Sequence, residues 1–126
     1  MQNVDVSVVH ALMRNPIKGA SVEYNDNRIS RYVGQAGKCA VTQQPLLPEQ
    51  VNCHHLKPVS MGGDDRYTNL VIVSDTIHRL IHATKEDTLC LLLNQVQLDR
   101  KQLEKLNKYR VLAGNTAIDA TSMNHS

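Results

Sequence analysis

The sequence predicts an α+β fold, in which short extended stretches and a helix form a central unit flanked by further helices. Three observations lead there. At 126 residues the chain is about the size of one ordinary domain. Its middle holds brief β-type runs separated by turns marked with glycine and proline. Apolar residues recur at helical spacing on both sides of that middle.

From the N-terminus, residues 1–20 read as a lead-in segment. Its apolar stretch (Val4, Val6, Val8, Val9, Leu12, Met13) ends at Asn15-Pro16, where the proline restricts the residue before it; whether this stretch is helical stays open. From Asn25 to Gly34, Ile29, Tyr32 and Val33 recur at helical spacing and Gly34 and Gly37 close the run, so a short basic helix is expected. Lys38 to Val41 and Gln50 to His54 are β-type runs joined by the turn-forming Gln43 to Pro48, which predicts a hairpin. The loop Pro58 to Thr68 carries Gly62-Gly63-Asp64-Asp65. Leu70-Val71-Ile72-Val73 is apolar and β-branched, a short strand.

Ser74 or Asp75 caps the next helix, which runs to about Ala83, because either side-chain oxygen can accept the free N–H groups of a first turn. Thr84 reads as a second cap, ahead of Glu86, Asp87 and a helix through Leu89, Leu92 and Leu93. Asp99 with Gln102 resembles a capping box, and Leu103, Leu106 and Leu112 form the apolar stripe of a third helix that stops at Gly114. Residues 21–114 therefore form the domain proper, and 115–126, polar and small, a flexible tail.

Composition narrows the class. Hydrophobic residues make up 41% of the chain, but Trp and Phe are absent, so the core is aliphatic and modest and a bound metal is a natural staple. No run approaches the roughly 18 apolar residues of a membrane span, and the first residues lack a signal-peptide profile, so a cytoplasmic protein without a membrane partner is expected. Cys39, Cys53 and Cys90 are odd in number and form no C-x-x-C pair, which argues against disulfides and a four-cysteine zinc site and for reduced thiols. The formal charge is only +2, yet basic residues gather from Arg14 to Lys38, including Arg28 and Arg31, and from Arg100 to Arg110, including Lys105. Such segments are either solvated faces or contacts to a polyanion such as DNA.

The chemistry-bearing pattern lies between them: His54-His55, Gly62-Gly63, Asn69, then His78 and His82. Neighbours on a strand point to opposite faces, so one of His54 and His55 can face a metal and the other a substrate. His78 and His82 are four apart, which places both imidazoles on one helix face. His54, His78 and His82 thus supply three neutral nitrogens to a divalent cation and leave positions open for water and a phosphate oxygen, the mark of a catalytic site. Three imidazoles accept Zn, Ni, Mn or Mg ions. His55, spare as a ligand, is the candidate general base. The Asn69 amide either holds an imidazole in one tautomer or ties the loop to the first strand. Lys57 and Arg79 flank the site, as contacts to the scissile phosphate or as solvated charges. His10 and His125 fall in terminal segments and are read as incidental.

Cys53-His54-His55-Leu56-Lys57-Pro58, Gly62-Gly63-Asp64, Asn69-Leu70-Val71 and Ile77-His78-Arg79-Leu80-Ile81-His82 together resemble the HNH nuclease motif of the ββα-metal fold. The resemblance covers roughly residues 38 to 83. It implies that His54 and His78 are metal ligands and that His55 is the general base; His82 is similar to the extra histidine that completes the metal site in the colicin nucleases. The flanks, Ser21 to Ser30 before Gly37 to Thr42 and Leu103 to Lys108 afterwards, resemble the C-terminal endonuclease region of bacterial group II intron reverse transcriptase/maturase proteins, from about residue 12 to 118. That likeness implies a metal-dependent domain that nicks DNA, with intron RNA or a reverse transcriptase/maturase module as further partners. Nothing in the chain resembles the polymerase's Tyr-x-Asp-Asp motif, so reverse transcription is not expected. Nor is a structural zinc knot, since Thr42, Ser74 and Ile77 stand where many HNH proteins carry cysteines; Ile77, Leu80 and Ile81 would pack on Val71 and Val73 instead, each full burial contributing roughly 1.5 to 3 kcal/mol. Two rival readings remain: a DNA-binding module that keeps the ββα-metal fold without cutting, and an interaction domain whose metal is purely structural. A structural three-histidine site has no need of His55 beside it.

Overall fold

Asp5 starts the first helix, its carboxylate accepting the Ser7 N–H, and the resulting α1 (Val6–Arg14) buries Val8 and Leu12. In this computed structural model, which describes residues 4–119, α1 is part of the core and not merely a lead-in. Ser21 caps α2 (Val22–Gly34) through the Tyr24 N–H, so that helix begins three residues before Asn25. Then follow β1 (Asn52–His55), β2 (Leu70–Val73), α3 (Asp75–His82), α4 (Glu86–Val96) and α5 (Arg100–Leu112). The result is a mixed α+β architecture with a two-stranded antiparallel sheet among the described residues.

The sheet corrects the expected hairpin. Residues 50–54 do not pair with 38–41; Lys38 makes an isolated bridge to Pro45, and β1 pairs with β2 in the register Asn52↔Val73, Cys53↔Ile72, His54↔Val71, His55↔Leu70. Every residue of β2 is buried, so its backbone polar groups must find partners within the protein. From the side away from β1, Ala40 N–H and the Gln35 amide both donate to the Ile72 carbonyl, and Gln35 Oε1 accepts the Ile72 N–H. Ala40 and the Gln35 side chain thus satisfy the outer edge of β2 at Ile72.

Ser74 is the residue that caps α3, accepting the Ile77 N–H, and Ile77, Leu80 and Ile81 enter the core with Val71, Ile72 and Val73. The buried thiol of Cys39 sits there too and accepts the Ser74 N–H. The Thr84 cap is not formed: Lys85 occupies the capping position of α4 without a side-chain bond. Asp99 and Gln102 do form the capping box of α5, but its stripe is Leu103, Leu106 and Tyr109, with Leu112 40% exposed. Steps of three and four residues from Leu106 land on the buried Tyr109 and Arg110, and Leu112 falls outside that face. The first part of the expected tail is docked, with Ile118 buried and its backbone held by both polar atoms of the Asn107 amide. His125 lies outside the described residues. No helix among the described residues is long and apolar enough to cross a membrane.

Candidate functional site

Because side chains alternate along β1, His54 turns toward α3 while His55 turns toward α2. One helical turn separates His78 and His82, so both rings meet His54: centroids lie 5.4 Å (His54–His78), 5.2 Å (His54–His82) and 5.0 Å (His78–His82) apart, all edge-on. One ligand nitrogen from each lies within 4.8 Å of the others, a spacing that a single ion closes with small side-chain rotations.

The electrostatics suit that donor set. His54 is 4% exposed and its Nε2 is buried without a hydrogen-bond partner, an arrangement that costs free energy unless something else engages that nitrogen. Burial, reinforced by His78, His82 and His55, pushes the His54 pKa down to about 3. His78 is also lowered, first by burial and then by His82. Both imidazoles are therefore neutral at neutral pH, the protonation state in which a metal ligand must be. The residues present fit a divalent cation, with His78 half-buried and His82 exposed on the open side.

On the other face, His55 Nε2 lies 2.8 Å from Asp65 Oδ1, and its ring stacks on Tyr24 at 5.1 Å. Asp65 is itself held: Ser21 Oγ donates to Oδ2 at 2.6 Å and Asn27 donates to its backbone carbonyl. These bonds, Ser21 first and then His55, lower the Asp65 pKa and keep it a carboxylate. Tyr24 donates through its hydroxyl to the Cys53 carbonyl at 2.6 Å, so the ring that backs His55 is fixed at both ends. Burial pushes the half-buried Cys53 thiol up to about 11, so it stays protonated. A cavity of about 400 Å³, lined by Lys18, Gly19, Ser21, Tyr24, His55 and Asp65, opens beside this pair.

Asn69 resolves in favour of the loop. Its Oδ1 accepts the Lys57 N–H at 2.9 Å, and its Nδ2 donates to the carbonyls of Lys57 and Asp64, so it staples the glycine loop to the end of β1 and holds no imidazole. Lys57, Arg79 and Lys105 are exposed and free to meet a polyanion. Of the other expected phosphate contacts, Arg28 is corrected by its burial and Arg31 is engaged within the protein. Arg28 is 6% exposed because it lies on the face of α2 that packs inward, with Nη1 buried. Arg31 is half-buried, its guanidinium stacked 4.2 Å from the Tyr67 ring and its Nε donating to the Tyr67 carbonyl, so it braces the loop.

Asp65, Ser21 and Tyr24 are the members of the site that sequence reasoning missed. The Asp64-Asp65 pair stands out beside two glycines, but nothing local tells which carboxylate meets an imidazole; Asp64 instead accepts the Arg66 N–H within its own turn. Comparison with protein-family models, curated proteins and solved structures returned no match.

Proposed function

We propose that the chain is a metal-dependent endonuclease of the HNH type, built on a ββα-metal core, that nicks DNA. The observation that carries this reading is the pairing of two features on adjacent residues: a three-histidine cluster with an orphaned buried nitrogen at His54, and an imidazole braced by a carboxylate at His55. The sequence likeness to the endonuclease region of group II intron maturases makes DNA nicking during intron mobility the more specific form of the proposal.

His54, His78 and His82 would hold the ion, one of Mg, Mn, Zn or Ni, which when bound would supply Lewis acidity to a phosphate oxygen and to the developing charge of the leaving group. The Asp65 carboxylate can only accept, so the proton shared with His55 sits on Nε2 and the lone pair is on Nδ1. His55 therefore takes the proton of the attacking water at Nδ1, while Asp65 stabilises the imidazolium that results. Asn69 and the glycine loop keep the end of β1, and so His55, in place. Lys57 and Arg79, exposed beside the site, bind the scissile phosphate.

Nicking of supercoiled plasmid, assayed with each of the four ions and with chelator, tests the proposal. The chain should nick only with metal, and His55→Ala should lose roughly 100-fold or more of the rate while keeping metal and DNA binding. A chain that binds DNA but nicks with none of the four ions is instead a binding module on the same fold.

A further inference from the structure

α3 has eight residues, too few to be a stable helix alone, yet it carries two of the three clustered histidines. A helix end leaves its last carbonyls without intrahelical partners. At the end of α3 those carbonyls are taken by residues from outside the central unit. Arg110, near the end of α5 and 1% exposed, donates from Nη1 to the carbonyls of Leu80 and Ala83 and from Nε to that of Thr116. Asn115, just past α5, donates through Nδ2 to the carbonyls of Ile81 and Ala83, each at 3.0 Å. A guanidinium at a helix C-terminus also matches the sign of the helix dipole.

These bonds bracket His82. The carbonyls of Leu80, Ile81 and Ala83 surround it in the chain, whereas its own side chain is exposed and meets His54 and His78 by ring edges. The direction in which the His82 imidazole projects is therefore set by how the final turn of α3 is held. The same end of α5 touches the other side of the site, since Met61 of the glycine-loop segment packs over Gly114, its sulfur 3.4 Å from where a Cβ would stand.

We infer that Arg110 and Asn115 are positioning residues for the three-histidine metal site: by binding the last carbonyls of α3 they preset His82 toward His54 and His78. The inference rests on the proposed metal-binding role of that cluster. It makes α5, which contributes no ligand, a determinant of metal affinity and coordination. Support from outside the ligand set is how many metal sites fix ligand orientation, and losing it typically weakens binding about 10- to 100-fold.

Titration calorimetry with Zn²⁺ and visible absorption of the Co²⁺-substituted protein test it, on the full chain and on Arg110→Met, Arg110→Lys, Asn115→Ala, His82→Ala and Arg110→Met/His82→Ala. The parent should bind one ion. Arg110→Met should bind about 10- to 100-fold more weakly, and its Co²⁺ spectrum should move toward that of His82→Ala. Arg110→Lys should recover part of the affinity. The double variant should be no weaker than His82→Ala alone, because the support matters only through that ligand. Parent-like affinity and spectrum in both Arg110→Met and Asn115→Ala would overturn the inference, as would losses that simply add to that of His82→Ala, the pattern of general destabilisation. If Arg110→Met does not fold, Asn115→Ala decides by the same criteria. A parent chain that binds no ion removes the metal-site reading itself and this inference with it, whereas a metal-binding parent with indifferent variants removes only this inference.

Discussion

Gly63 sits so close against Lys57 that a Cβ on the glycine would overlap the Lys57 carbonyl oxygen and stand 2.9 Å from that of Pro58. Both obstacles are backbone, so neither can rotate aside. Gly63→Ala must displace the loop that carries Asp64 and Asp65 from the end of β1, breaking the bonds through which Asn69 staples it. A loss of roughly 1 to 3 kcal/mol is expected, seen as a fall of about 4 °C or more in melting temperature. Unchanged thermal unfolding would contradict this close approach of the loop to β1.

Asp65 is the second prediction. Removing its carboxylate frees His55 to take either tautomer and to turn on its Tyr24 stacking face. If the chain nicks DNA as proposed, Asp65→Ala should lower the rate roughly 100-fold through lost orientation, with metal affinity unchanged because Asp65 is not part of the histidine cluster. Nitrogen NMR of the His55 ring should report a single Nε2–H tautomer in the parent and a mixture in the variant. Equal tautomer populations in both proteins would remove the positioning role.

Acid stability follows from the lowered histidines. His54 has a folded-state pKa of about 3, against an ordinary value of 6.5, and His78 is shifted in the same direction. Between those values the unfolded chain binds protons that the folded chain does not, so stability is fully present above about pH 6.5 and falls as the pH drops toward 3. Metal must be absent for the effect to be read cleanly. Denaturant unfolding in chelator at a series of pH values should therefore show a midpoint that declines through this window, and His54→Gln should flatten the decline. A midpoint independent of pH across the upper half of that window would contradict the burial of His54.

Salt dependence separates exposed from buried cations. If the chain nicks DNA as proposed, binding to a random-sequence duplex, followed by anisotropy between roughly 50 and 200 mM salt, should weaken steeply, and nick positions should show little sequence preference, because backbone contacts carry no base information. Arg79→Gln and Lys57→Gln should each reduce the slope of log affinity against log salt by about 1. Arg28→Gln should leave that slope alone, since the guanidinium is packed inside. Sharp cutting at a single motif, or an equal effect from Arg28, would show that DNA is engaged by a different surface.

Features that depend on a few neighbouring residues are legible in the sequence alone. The i, i+4 spacing of His78 and His82, the alternation that separates His54 from His55, the Ser74 cap and the Asp99–Gln102 box all follow from helical or strand geometry over one or two turns. The cluster of three histidines is legible as far as its membership, because strand, loop and helix succeed one another in sequence. The pairing of β1 is not: by pattern Lys38 to Val41 and Leu70 to Val73 are equally suited to it, and the choice falls to the run whose complete burial demands it.

By itself, then, the sequence determined which residues could share a helix face or a strand face, since those periods are properties of the backbone and act over a few residues. Only the tertiary structure decided that Ser21 reaches Asp65 across 44 residues, that Arg110 reaches Leu80 across 30, and that Arg28 points inward. Such contacts are selected by the burial and hydrogen-bond satisfaction of the whole core, and polar groups taken from water must find partners wherever the fold brings them. No local spacing encodes that requirement, so the braces of the site emerge with the packing.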